Sequence, residues 1–246
     1  MTALRKLTVV ETKLFLRDRT SLLVVLALPA VLVLAFGSIP GFGDPNPDLG
    51  GQTGTELIAA IGVALVVAML GLSVLPTVLA TYRERGVLRR LRATPVHPGS
   101  LLAAQLVVAA LAAIVAVALL LGLGAAAVGL PMPGHPLGFV AAFVLGLAAL
   151  GAVGLVIAAL APSSRGATGI GMVAFFPSLF LAGVYVPREL LPTALQRISD
   201  FTPLGAALES FRDAWGGDLP RPMHLVTMAG YAVVAGLAAA RFFRWE

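Results

Sequence analysis

The chain contains no cysteine, which excludes disulfides, thiolate metal sites and cysteine nucleophiles together. Charge is scarce as well: 12% of the 246 residues are charged, against 59% that are hydrophobic. A water-soluble surface usually takes about twice that charged share, so lipid is the solvent this composition fits. Lys6 and Lys13 are the only lysines. A phosphate loop of the Walker type needs a glycine-rich turn closing on Lys-Ser or Lys-Thr, and neither lysine stands in one. The chain therefore carries no nucleotide-hydrolysing motif, and no cofactor site or metal site of its own is expected. His97, His135 and His224 lie scattered beside prolines or helix starts and read as ordinary loop or interface residues.

What is present is apolar length. Six stretches free of Asp, Glu, Lys and Arg run approximately over 22–39, 57–80, 101–130, 137–161, 167–186 and 223–240. About 20 apolar helical residues cross a hydrocarbon core, so each stretch is read as a span. The fold expected is an all-α membrane protein with six transmembrane helices. Residues 1–21 form a leader, and residues 22–246 form one membrane domain. The first stretch is too long for a signal-peptide core and is read as an uncleaved helix.

The loops orient it. Arg5, Lys6, Lys13, Arg17 and Arg19 precede the first span, and Arg83, Arg85, Arg89, Arg90 and Arg92 follow the second. Arg165, Arg241 and Arg244 fall on the same side. The opposite side holds only Arg188, Arg197, Arg212 and Arg221, among more numerous acids. The positive-inside rule places both termini in the cytoplasm. The basic excess is thus a topology signal, assisted by anionic headgroups, and nucleic acid is not an expected partner.

Three segments outside the spans could carry function. At 100° per residue the leader turns Leu4, Leu7, Val10, Leu14 and Phe15 to one face, as an interfacial helix does. Glu11 and Asp18 fall on that apolar side. Glu11 is expected either to do nothing special or to meet a basic group of a neighbouring segment. In the loop after the second span, Leu88 and Leu91 stand three apart among arginines. That spacing predicts a short basic helix stopped by Pro95 and Pro98, fit to anchor at headgroups or to dock on a soluble partner. Between the fifth and sixth spans, Leu190, Leu191, Ala194, Leu195 and Ile198 follow helical spacing. Thr202 then caps a second short helix with Pro203 at its start and Leu204, Ala207, Leu208 and Phe211 on one side. Both are expected to lie on or dip into the outer leaflet.

Within the spans no catalytic pair occurs. Polar side chains in these stretches include Ser73, Thr77, Gln105, Thr168, Ser178 and Tyr185, with Pro29, Pro76 and Pro177 as breaks. Gly146, Gly151 and Gly154 could permit close helix contact. Ion-coupled transporters usually place ionisable groups in the membrane, so an apolar or amphipathic substrate suits these spans better than an ion.

Residues 82–95, with Arg-Glu-Arg-Gly-x-Leu followed by Thr-Pro, resemble the permease subunits of ABC-2-type exporters, the group that includes bacterial drug and antibiotic efflux permeases. The stretch LFLAGVYVPRELLPTALQRISDFTPLGAALESFR at 179–212 carries the same resemblance through Phe-x-x-Gly-Val, a proline-flanked helix and a terminal Phe-Arg. The resemblance implies a permease dimer, homo- or heterodimeric, in the bacterial plasma membrane. It implies two copies of a cytoplasmic ABC ATPase subunit, which would supply ATP and Mg²⁺ chemistry. By the same resemblance Glu84, Arg85, Gly86, Leu88, Arg89, Leu91, Arg92, Thr94 and Pro95 would form the helix that seats on the ATPase. Glu11 and Arg17 would belong to a connecting helix. Pro187, Leu191, Pro203, Glu209, Phe211 and Arg212 would belong to short gate helices near the exit. A non-transporting membrane scaffold, an ion-coupled secondary transporter and, weakest, a membrane-embedded enzyme are the competing readings.

Overall fold

The computed structural model describes residues 3–92 and 99–242, apart from the side chains at 3, 48, 89, 91 and 92. The described residues are mostly helical: α1 (Ala3–Arg17), α2 (Arg19–Gly37), α3 (Gly54–Ala68), a π-helical segment (Met69–Val74), α4 (Leu75–Glu84), α5 (Val87–Arg92), α6 (Gly99–Val128), α7 (Pro136–Leu160), α8 (Ser164–Leu181), α9 (Thr193–Asp200), α10 (Pro203–Trp215) and α11 (Pro222–Phe242), with short 3-10 turns at Pro47–Leu49 and Arg188–Leu190. No strand occurs among the described residues. Among the described residues five helices are long and apolar enough to cross a membrane: Arg19–Gly37, Gly54–Glu84, Gly99–Val128, Pro136–Leu160 and Pro222–Phe242. The stretch expected as a fifth of six spans is α8, whose 18 residues include Arg165, Thr168, Pro177 and Ser178. Those residues leave it outside the five.

Asp18 separates α1 from α2 and caps the latter, its carboxylate accepting from Ser21 N and Oγ. Thr53 and Glu56 form a capping box that starts α3. The 31-residue helix from Gly54 to Glu84 is the most enclosed of the five, with α2, α6, α7, α8 and α10 packed around it. The helix pair α7 and α11 closes one side, and α2 and α6 the other. Leu88, Leu101, Leu155 and Ala239 share one apolar cluster with Leu7 against it, so α1, α5, the start of α6 and the end of α11 gather at one end of the bundle. The loop at 41–53, α9 and α10 gather at the other, as shown below.

Pro76 explains the break in the central helix. It has no N–H for the Leu72 carbonyl, and the chain widens to a π-helical turn in which Leu75 N donates to Leu70 O. Glycines of two neighbouring helices close on the loosened backbone. A Cβ on Gly154 would overlap the Gly71 carbonyl oxygen, and one on Gly171 the Leu72 carbonyl oxygen. Of the three glycines expected at close contacts, Gly154 thus makes a backbone contact and Gly146 packs against Ala207 Cβ. Gly151 has only ordinary room beside Leu106. Gly154→Ala is expected to destabilise the detergent-solubilised protein by about 1–3 kcal/mol, the usual cost of overpacking, and Gly151→Ala to change it little. Thermal midpoints by fluorescence-detected size exclusion test the pair, and equal midpoints would contradict this packing.

Candidate functional site

Two polar assemblies sit at opposite ends of the bundle. At the first, α4 ends in Arg83 and Glu84, and both side chains reach the turn between α7 and α8. The Arg83 guanidinium donates to the Ala158 and Ala161 carbonyls at the end of α7. Glu84 accepts from Ser164 N at 2.9 Å, serving the first turn of α8. Gly86, at φ +67, then takes the left-handed turn that starts α5. Leu88 is buried and holds α5 against α4, α6 and α7. It is an internal anchor of the short helix, with Arg85 and Arg90 exposed around it. The expected coupling residues therefore divide: Leu88 ties α5 to the bundle, Glu84 links the end of α4 to α8, and Arg85 remains on the surface. Thr94 and Pro95 lie outside the described residues, as do His97 and the side chains of Arg89, Leu91 and Arg92.

The leader corrects one expectation. Glu11 meets no basic group among the described residues. Tyr82 Oη donates to Glu11 Oε2 at 2.6 Å, and Gln105 Nε2 donates to the same oxygen at 2.5 Å. Burial raises the Glu11 pKa, and these two hydrogen bonds work against that rise. The expected apolar face is turned partly outward: Leu4, Val10 and Leu14 are exposed, whereas Leu7 and Phe15 pack inward beside Glu11. Arg17 is exposed in the last turn of α1. Under this helix lies a cavity of about 370 Å³ between α1, α4 and α6.

At the other end α10 forms as the sequence indicates. Thr202 accepts from Gly205 N, Pro203 opens the helix, and Leu204, Ala207, Leu208 and Phe211 are buried. It does not lie on a surface, however. Nearly every residue from Leu204 to Trp215 is buried among α3, α7 and α11. Phe211 meets Phe139 at a tilt and Trp215 meets it edge to face, and Trp215 Nε1 donates to Pro131 O. Such depth forces the polar side of α10 to find partners inside. Arg212 donates to Glu209 at 3.1 Å, to Glu189 at 2.6 Å and to Gln52 at 3.1 Å. Gln52 in turn donates to Arg212 O, closing a two-way link to the 41–53 loop.

Glu209 also faces Arg188 at 3.8 Å, and Arg188 pairs with Asp200 at 2.6 Å. His224 lies fully buried near the start of α11 with Nε2 3.1 Å from Asp200 Oδ1, an interface position against α9. His135 by contrast caps α7. Burial works against the Arg212 charge, and Glu189 and Glu209 more than offset it, so its pKa stays above the ordinary value. Pro187 precedes the 3-10 turn at Arg188–Leu190 that presents Arg188 and Glu189, and Leu191 is buried behind it. The network therefore ties the 41–53 loop, the 3-10 turn, α9, α10 and α11 together.

Sequence reasoning identified Glu11, Glu209 and Arg212 but not Tyr82, Arg83, Gln52, Arg188, Glu189, Asp200 or His224 as their neighbours. The signal that could have found some of them is polarity out of place: Gln105 is the one strongly polar side chain of α6. No group of His, Cys, Asp and Glu that could hold a metal occurs among the described residues.

The chain matches the family model described as ABC-2 type transporter over residues 2–215. No curated protein matches the chain.

Proposed function

The chain belongs to the ABC-2 type transporter family, whose membrane domain makes it a transport permease subunit, and on that footing we propose that it serves an ATP-driven exporter. The proposed cargo is hydrophobic or amphipathic (a drug, an antibiotic or a lipid-like molecule), moved outward across a bacterial plasma membrane. Two copies of a soluble ATPase would bind ATP and Mg²⁺, and a second permease, identical or not, would complete the pathway.

The observation that carries the reading is the attachment of α5. A chain without a nucleotide motif receives ATP energy only through mechanical contact. Here a short basic helix is held by Leu88, while Arg83 and Glu84 at its root grip the α7–α8 turn. A push on α5 thus reaches the ends of α4, α7 and α8 together. The scarcity of ionisable groups in the spans favours ATP over an ion gradient. In cells loaded with a fluorescent lipophilic dye, ATP depletion is expected to stop efflux, and collapse of the proton gradient at constant ATP is not. The reverse pattern would establish the secondary-transporter reading.

We also propose six crossings with both termini cytoplasmic. The placement of α8 supports this: it starts beside Glu84 at the α5 end and leads to the 3-10 turn at the α10 end. The cysteine-free chain allows single-cysteine labelling without background. An impermeant maleimide is expected to label Leu219→Cys in intact cells and Thr20→Cys only after permeabilisation. Labelling of Thr20→Cys in intact cells contradicts this orientation.

A further inference from the structure

The cavity under α1 is apolar over most of its wall, from Leu70, Val74, Val78 and Val108 among others. Its polar groups are Glu11 with its two donors, Asp18 at the α1–α2 joint, Arg85, and Thr77 and Thr81 of α4. Glu11 is 6% exposed, a costly place for a carboxylate whose described partners are two neutral donors. The donors fix the carboxylate's orientation without neutralising it. Phe15 and Tyr82 add aromatic rings to the same wall, the surface on which organic cations rest favourably. Two carboxylates against one guanidinium leave the lining negative. Leu14, Asp18 and Arg85 line the cavity and are themselves exposed, so it opens to the surface there. A narrow apolar slot of about 110 Å³ adjoins it across Phe15 and Val108, with room for an apolar tail. The larger volume, about 370 Å³, falls within the range of small-molecule sites.

We propose that this cavity binds amphipathic organic cations, with the Glu11 carboxylate as counter-ion to the ligand's charged centre and the apolar wall holding its body. That such a ligand is the exported cargo rests on the permease reading above; binding itself does not. The arrangement separates cations from anions of the same shape. It also makes binding depend on the charge of Glu11. Burial raises the pKa of that carboxyl, so its ionisation is harder here than in water, and a permanently charged cation must bind the ionised form. Affinity should therefore rise as pH rises through the raised pKa and level off above it. The other titratable groups facing Glu11 are Tyr82 and Arg85 from α4 and Asp18 from the joint; α6 contributes Gln105 and no ionisable residue.

Tetraphenylphosphonium and tetraphenylborate are near-isosteres of opposite charge, and neither titrates. Equilibrium dialysis of each against the full-length chain in lipid nanodiscs, corrected with empty nanodiscs, measures the site. The phosphonium is expected to bind at least tenfold more tightly than the borate at pH 8. Glu11→Gln should remove about that preference together with the pH dependence. Val78→Trp, which fills the cavity and leaves the Glu11 cluster untouched, should abolish binding of the cation; both variants are checked by size exclusion for a wild-type profile. Equal affinity for the two ions, or wild-type phosphonium binding by Glu11→Gln or by Val78→Trp, overturns the proposal. Dye efflux in the same strains separates the two readings. ATP-dependent efflux that survives a failed binding test leaves the permease standing and removes only the cation site. Efflux absent alongside intact binding removes the permease reading and keeps the site.

Discussion

Arg212→Met is expected to cost about 3–5 kcal/mol of stability. Buried ion pairs are weak net stabilisers, but removing one partner strands the other in a medium that cannot hydrate it. Arg212 is 8% exposed and serves Glu209, Glu189 and Gln52 together. Its loss leaves Glu209 facing Arg188 alone, at a longer 3.8 Å. Glu189, about a third exposed at its side chain, can turn to solvent, so Glu209 carries most of the penalty. The double variant Arg212→Met, Glu209→Gln should accordingly recover part of the loss, with a coupling of about 1–3 kcal/mol. Thermal midpoints of the four proteins in one detergent give the cycle. Additive losses, or a midpoint for Arg212→Met within error of wild type, would show that the network does not hold the α10 end.

Leu88→Ala is expected to abolish coupling while leaving a folded membrane protein. The side chain is 2% exposed among Leu75, Leu79, Leu101 and Leu155, and truncating such a leucine costs about 2–5 kcal/mol. That cost falls on α5, whose six residues cannot hold a helix alone. The bundle itself keeps the Gly54–Glu84 core. ATP-dependent efflux should fall to background with surface expression and size-exclusion profile unchanged. Leu106→Ala, on the outward face of α6 at 37% exposure, is the matched control and should transport normally. Wild-type transport by Leu88→Ala would mean that α5 does not transmit force.

The parts of this structure legible in the sequence are those set by neighbours along the chain. Apolar length marked the spans, and Thr202 with Pro203 marked the start of α10. The three-residue spacing of Leu88 and Leu91 marked α5. Helical spacing, however, does not say how deep a helix lies. The apolar face and the charged face of α10 were both visible, but an amphipathic helix on a surface and a buried one with paired charges share that pattern. The pairing depends on Gln52, 160 positions from Arg212. Glu11 was conspicuous as an acid on an apolar face, yet its partners stand 71 and 94 positions away on two other helices. A basic partner was the natural guess from charge alone; among the described arginines of α4, Arg83 is taken up by the end of α7 and Arg85 is exposed, and neutral donors hold Glu11 instead. The π-helical turn was unreadable for another reason: Pro76 signals a break but not its form, and the form is set by Gly154 and Gly171 arriving from α7 and α8.

The most direct measurement is purification of the tagged chain from native membranes in mild detergent, with quantitative identification of what comes with it. A soluble-type ATPase in one-to-one stoichiometry with the permease, lost at raised salt from Arg85→Glu but not from wild type, is the expected result. A chain that emerges alone, under conditions that keep established ABC transporters intact, would contradict an ATP-driven permease and favour a scaffold or an ion-coupled transporter.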